Sequence, residues 1–106
     1  MGCALKHLHR NAIVSAFFYD REAVMIFETH AHYDDEAFDE DRFAMLDSMQ
    51  ENGIGHIVDV CASVGHFDRV YDLVEKYPFI YGAVGVHPDD ADKMTEETLE
   101  EIRKLC

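Results

Sequence analysis

Apolar residues between positions 25 and 106 follow two alternating rhythms. Met25 to Ala31 is apolar and β-rich at its start, and an acidic loop runs from Tyr33 to Glu40. Phe43, Leu46 and Met49 then recur at helical spacing, with Asp39 as the expected cap and Asn52-Gly53 as the left-handed stop. A second strand is predicted over Ile54 to Ala62, where Ile57, Val58, Val60 and Cys61 are apolar on both faces. Ser63 is placed to cap the next helix. Its stripe of Phe67, Val70, Tyr71, Val74 and Tyr77 keeps the helical period until Pro78 ends it. Phe79 to Val86 gives the third strand. The last helix starts at Thr95. Glu96 and Glu97 in its first turn and Arg103 and Lys104 in its last suit the helix dipole, and Leu99, Ile102 and Leu105 face the core.

The order is therefore βαβαβα. Near-continuous apolar strands between amphipathic helices predict an α/β fold with parallel strands and right-handed crossovers, as in doubly wound sheets and (β/α)8 barrels. The first strand-to-helix turn carries no glycine-rich fingerprint, which argues against a Rossmann dinucleotide site and a P-loop. Residues 1–24 do not share the rhythm. Their apolar run, Ala12 to Tyr19, is too short for a leader and lacks a small-residue cleavage pattern, and Lys6 stands where a myristoylation signal needs Ser or Thr. They are expected to be an amino-terminal extension outside the fold, with His7 and His9 on the surface and residues 25–106 forming the folded unit.

Composition narrows the partners. Apolar residues make up 48% of the 106-residue chain, enough for one core. Lys and Arg number 9 against 22 Asp and Glu, a net charge of -13. Three of the basic and two of the acidic residues fall in 1–24, so the folded unit carries nearly all of the negative excess. A whole-surface grip on nucleic acid or anionic lipid is not expected, and a phosphate ligand would need a bound cation to offset that field. No stretch approaches the roughly 18 apolar residues that a membrane span needs. Three cysteines far apart in sequence, Cys3, Cys61 and Cys106, argue against a disulfide framework and favour a reducing, cytoplasmic setting.

Polar residues concentrate where the strands end. In Thr29-His30-Ala31-His32-Tyr33-Asp34 the two histidines are two apart, so on a strand they project from the same face, in one row with Ile26 and Glu28. Two imidazoles side by side can hold one divalent metal. Glu28 is an acidic group inside a β run. It is read either as a direct or supporting contact of the metal site, or as half of a buried salt bridge or a partly wet position. His87 closes the third strand before Pro88, as a neighbour of the metal, a phosphate contact or a plain loop histidine. Asp34 and Asp35 either contact the site or are solvated. His56 and His66 are read as structural or exposed, and Cys61 as a packing residue.

The run Ile26-Phe27-Glu28-Thr29-His30-Ala31-His32-Tyr33-Asp34 resembles the amino-terminal signature of the TatD family of metal-dependent deoxyribonucleases. Gly85-Val86-His87-Pro88 after a third strand matches the same family. Glu28 stands where that family usually has Asp, and Tyr33 where it has Leu or Phe. The resemblance covers Met25 to Cys106. It implies a (β/α)8 TIM barrel of about 250 residues, of which three consecutive βα units are present, as an incomplete barrel. It further implies hydrolysis of DNA phosphodiesters with one or two divalent cations: magnesium, manganese or zinc. His30 and His32 become metal ligands, and His87 and Glu28 groups that support the ligands or touch substrate. No catalytic residue is assigned with certainty. The family's later ligands, a Glu after strand four, two further histidines and a late Asp, have no counterpart here.

Three strands leave two open edges and an inner face carrying Ile26, His30, Tyr81 and His87. The unit alone is expected to be marginal or aggregation-prone, to hold metal loosely and to fall short of full catalysis. Two other readings remain. Related amidohydrolase-like barrels also open on H-x-H, and a non-catalytic fragment would self-associate through its open edges.

Overall fold

A computed structural model describes residues 3–5, 25–61 and 63–106. A four-stranded sheet is ordered β1-β4-β3-β2, where β1 is Cys3–Leu5, β2 Ile26–Ala31, β3 Ile54–Cys61 and β4 Ile80–Val84. Strands β2, β3 and β4 are parallel neighbours, as the sequence predicts. Three helices, α1 (Arg42–Ser48), α2 (Phe67–Lys76) and α3 (Glu96–Leu105), alternate with them. This is an open α/β sheet with the element order of three successive βα units.

One face of the sheet is sealed by the helices. Gly55, Ile57, Asp59 and Cys61 of β3 and Ile80, Gly82 and Val84 of β4 are buried at every second position. Against them pack Leu46 of α1, Phe67, Val70, Leu73 and Val74 of α2 and Ile102 of α3. The opposite face is open. There Phe27, His56 and Tyr81 line up across three strands, with ring centroids 5.5 Å and 5.9 Å apart along the row. Ile26, His30 and His87 are exposed and Tyr81 is half-buried, so the four residues assigned to the inner face are accessible.

Strand β2 does not keep the strict alternation predicted for it. Its register slips between Ile26 and Phe27 and again between Glu28 and Ala31. At the first slip Ile26 faces Ile54 and Phe27 faces His56, which leaves Gly55 as an extra residue. Glycine suits this point, since a Cβ on Gly55 would lie a tight 3.0 Å from the Cβ of Met25. The bulge turns Phe27 onto the open face, away from the row expected from simple alternation.

Local signals succeed where the chemistry is local. Gly53 takes φ +85° after α1, and the Thr95 hydroxyl accepts the Thr98 N–H at 3.1 Å to start α3. Two expected caps are not used. Asp41 precedes α1, while Asp39 is drawn into ion pairs with two arginines, and His66 rather than Ser63 precedes α2. Phe43 and Tyr71, placed in the buried stripes, are exposed. The Lys76 ammonium lies 3.7 Å over the Phe43 ring, which gives that ring a partner at the surface.

The extension also departs from expectation at one point. Cys3, Ala4 and Leu5 pair antiparallel with Val84, Ala83 and Gly82 and so occupy the edge of β4. An unpaired strand edge accepts any extended segment that reaches it. The remainder of the extension, with His7 and His9, lies outside the described residues. Cys61 is free and buried, and Cys106 is disulfide-bonded, a single bridge that the cysteine count does not predict. Among the described residues no helix is long and apolar enough to cross a membrane.

Candidate metal centre

Strand β2 ends at Ala31, with His30 just before that end and His32 just after it, at the carboxyl edge of the sheet. Their rings meet edge to face, with centroids 4.9 Å apart at 79°. The two Nε2 atoms are 3.2 Å apart. His30 and His32 would supply two imidazole nitrogens to a divalent cation bound there. The donor set therefore fits a divalent cation.

Neighbouring groups select the form in which His32 presents itself. Its Nδ1 lies 2.6 Å from the carbonyl oxygen of Val60. A carbonyl only accepts, so Nδ1 carries the hydrogen and Nε2 keeps its lone pair facing His30, whose Nε2–H donates to it across the 3.2 Å contact. This hydrogen bond is the usual device by which a second ring nitrogen fixes the tautomer of a ligating histidine. Both rings are exposed to solvent. Among the described residues no third His, Cys, Asp or Glu joins them in a cluster able to hold a metal.

Glu28 supports the pair from within its own strand. Its Oε1 accepts the backbone N–H of His30 at 3.4 Å, and it is half-buried. Among the described residues it makes no salt bridge. His87 is held differently. Its Nδ1 accepts the Asp89 N–H at 3.2 Å and caps the 3-10 turn Pro88–Lys93. No hydrogen bond or ring contact joins it to His30 or His32.

The loop after His32 is built rather than loose. Asp34 is 5% exposed, while Asp35, Glu36, Asp39 and Glu40 are exposed, as the solvated reading has it. Asp35 starts the 3-10 turn Glu36–Phe38 by accepting the Ala37 N–H at 2.8 Å. Arg42 donates to the carbonyls of Tyr33 (2.5 Å) and Asp35 (2.6 Å) and to Asp39 (2.7 Å). Arg69 donates to the Asp34 carbonyl (3.2 Å) and to Asp39 (2.9 Å). These guanidiniums hold the Asp39 carboxyl below the usual carboxylate range, the Arg42 hydrogen bond contributing most. Both cations are committed to the loop, so they are poorly placed to bind a phosphate.

Beneath the loop lies a group that the apolar reading of β3 passes over. Asp59 is 0% exposed. Its Oδ1 accepts the Tyr33 N–H at 2.6 Å, and its Oδ2 is buried with no partner. Burial pushes its carboxyl up to about 6; the Tyr33 N–H and the nearby Asp34 N–H oppose that rise, and the Asp34 charge adds to it. Burial, with help from Asp34, also pushes the Cys61 thiol up to about 12, which suits a packing residue and not a nucleophile. The missed signals were present in the sequence. Asp59 is a lone carboxylate inside an apolar strand. Arg42 is a cation in the first turn of a helix, where the dipole disfavours it.

A cleft of about 400 Å³ opens beside the pair, lined by His32, Asp34, Asp35, Glu36, Val60, Ser63 and His66. His66, read as structural or exposed, contributes to this wall; its Nε2 is 4.0 Å from Glu36. The cleft thus offers imidazoles and carboxylates at one mouth, a setting that attracts a cation and, without one, repels a phosphate.

The model of the family described as TatD related DNase matches residues 27–106. An 81-residue stretch, 76% of the chain, is 38% identical to a protein of Bacillus subtilis (strain 168) named "Uncharacterized metal-dependent hydrolase YabD" and covers 32% of it. A 77-residue stretch, 73% of the chain, is 32% identical to "Uncharacterized metal-dependent hydrolase YjjV" of Escherichia coli (strain K12) and covers 30% of it. The chain thus spans about a third of the length of these relatives.

Proposed function

Because the chain belongs to the TatD-related DNase family, we propose that it supplies part of a divalent-cation site for hydrolysis of DNA phosphodiester bonds. The observation that carries this is the pair of Nε2 atoms 3.2 Å apart, with the His32 tautomer set by Val60. His30 and His32 would hold the cation, which supplies Lewis acidity and positive charge for a phosphate. The protein's share is orientation. The Val60 carbonyl keeps the Nδ1 proton on His32, Glu28 tethers the backbone of His30, and the arginine-braced loop shapes the cleft. Both relatives carry a metal-dependent hydrolase name, which supports hydrolysis; DNA as the substrate rests on the family description.

Two imidazoles hold a cation loosely, so full catalytic rates are not expected from this chain. Cobalt titration followed by visible absorption tests the site: wild type should bind, and the His30→Ala, His32→Ala double variant should not. Cleavage of a DNA duplex with manganese, lost in the double variant, would add support. No cobalt binding by wild type, or cleavage unchanged in the double variant, would overturn the reading.

A second reading has its own support. Met25, Ile26 and Phe27 are each half exposed or more along the free edge of β2. We propose that this edge also drives self-association.

A further inference from the structure

Strand β2 gives out one residue before it is finished with. Its last ladder pair joins Ala31 to Asp59, so the Tyr33 N–H, two residues on, has no strand partner. A buried N–H without an acceptor is costly. Asp59 fills that role with its side chain, at 2.6 Å. The next residue of β3 acts on the residue before Tyr33: the Val60 carbonyl holds the His32 ring by Nδ1. Two consecutive residues of β3 thus grip two consecutive residues at the end of β2, one by backbone and one by side chain.

The grip is not free. Asp59 lies between Ile57 and Cys61 on the sealed face, where an apolar side chain would pack without desolvating a carboxylate. One of its oxygens is orphaned there. A group that costs the core this much and meets the chain at the residue after His32 is placed for orientation, not for stability.

We infer that Asp59 is a positioning residue for the His30–His32 pair, its carboxylate anchoring the Tyr33 amide so that His32 leaves the strand at the angle that reaches both Val60 and His30. The inference rests on the reading of the pair as metal ligands, but its geometry can be tested apart from that reading. Asp59 is fully buried beneath the loop and acts through the backbone of Tyr33. An Asn at this position keeps an acceptor for the Tyr33 N–H, whereas a Val removes it and fits the same slot.

The test compares the full chain with Asp59→Asn and Asp59→Val, each checked by circular dichroism. Metal-free samples are read by long-range nitrogen–proton NMR of the histidine rings, and cobalt affinity by visible titration. Wild type and Asp59→Asn should show the Nδ1–H tautomer at His32 and bind cobalt within about threefold of each other. Asp59→Val should mix the His32 tautomers and weaken cobalt binding by about ten- to a hundredfold, as loss of a group supporting a ligand does. A folded Asp59→Val with an unchanged His32 tautomer and unchanged cobalt affinity would overturn the inference. Should Asp59→Val not fold, amide exchange in wild type decides: a protected Tyr33 amide that Asp59→Asn preserves supports the anchor, and a freely exchanging one overturns it. If wild type binds no cobalt while Asp59→Val still alters the His32 tautomer, the anchor stands and the metal reading falls.

Discussion

Asp59 carries a consequence for pH as well as for geometry. Its folded carboxyl sits at about 6, against 3.8 for an ordinary aspartate, chiefly because burial disfavours the charge. In the unfolded chain the carboxyl gives up its proton first as pH rises. Between about pH 4 and 6 the folded state therefore holds the extra proton, and stability falls as pH rises through that window. The span corresponds to roughly 3 kcal/mol lost by pH 7. Asp59→Asn, which does not titrate, should flatten this slope; urea unfolding at pH 5 and pH 7 measures it. A wild-type chain no more stable at the lower pH would show that Asp59 is better solvated than its burial implies. At this scale the sequence was legible where spacing is geometry. His30 and His32 could be paired from their two-residue separation alone, because alternation puts such residues on one face. Asp59 could not be assigned in the same way. Its partner is the Tyr33 amide 26 residues away, and no local pattern announces a long-range hydrogen bond.

The loop between β2 and α1 depends on two arginines from two different helices. Arg42 reaches three carbonyls and a carboxylate at once, a task for a planar fork that a point charge cannot match. Arg42→Lys should keep the charge yet lose most of these bonds, destabilising the chain by about 1–3 kcal/mol. Thermal melts should show the loss, and amide exchange should quicken first over residues 33–39. Unchanged exchange there would mean that Arg69 suffices. The elements themselves were well marked by periodicity, and Gly53 and Thr95 ended and began helices as their chemistry requires. The caps at Asp39 and Ser63 were misplaced for a physical reason. Asp39 has a stronger partner in the arginines than in a helix amide. Chain rhythm also could not foresee the bulge at Gly55, because the Met25 contact that favours glycine arises only once β2 and β3 pair.

At the scale of the whole sheet, the parallel order of β2, β3 and β4 followed from the alternation of strand and helix, while the antiparallel β1 did not. Pairing of a three-residue segment with β4, nearly eighty positions away, leaves no periodic trace. The two edges are consequently unlike. Among the described residues the β4 side is occupied by β1, and β2 pairs with no further strand, with Ile26 55% exposed. Edges of this kind template pairing with another chain unless a charge blocks it. Ile26→Lys places such a charge at the exposed start of β2, where no core contact is lost. It should lower the weight-average mass of concentrated samples toward that of one chain in analytical ultracentrifugation, and leave cobalt binding at His30 and His32 intact. A distribution of masses equal to that of wild type would locate the association elsewhere, on the open face carrying Phe27, His56 and Tyr81.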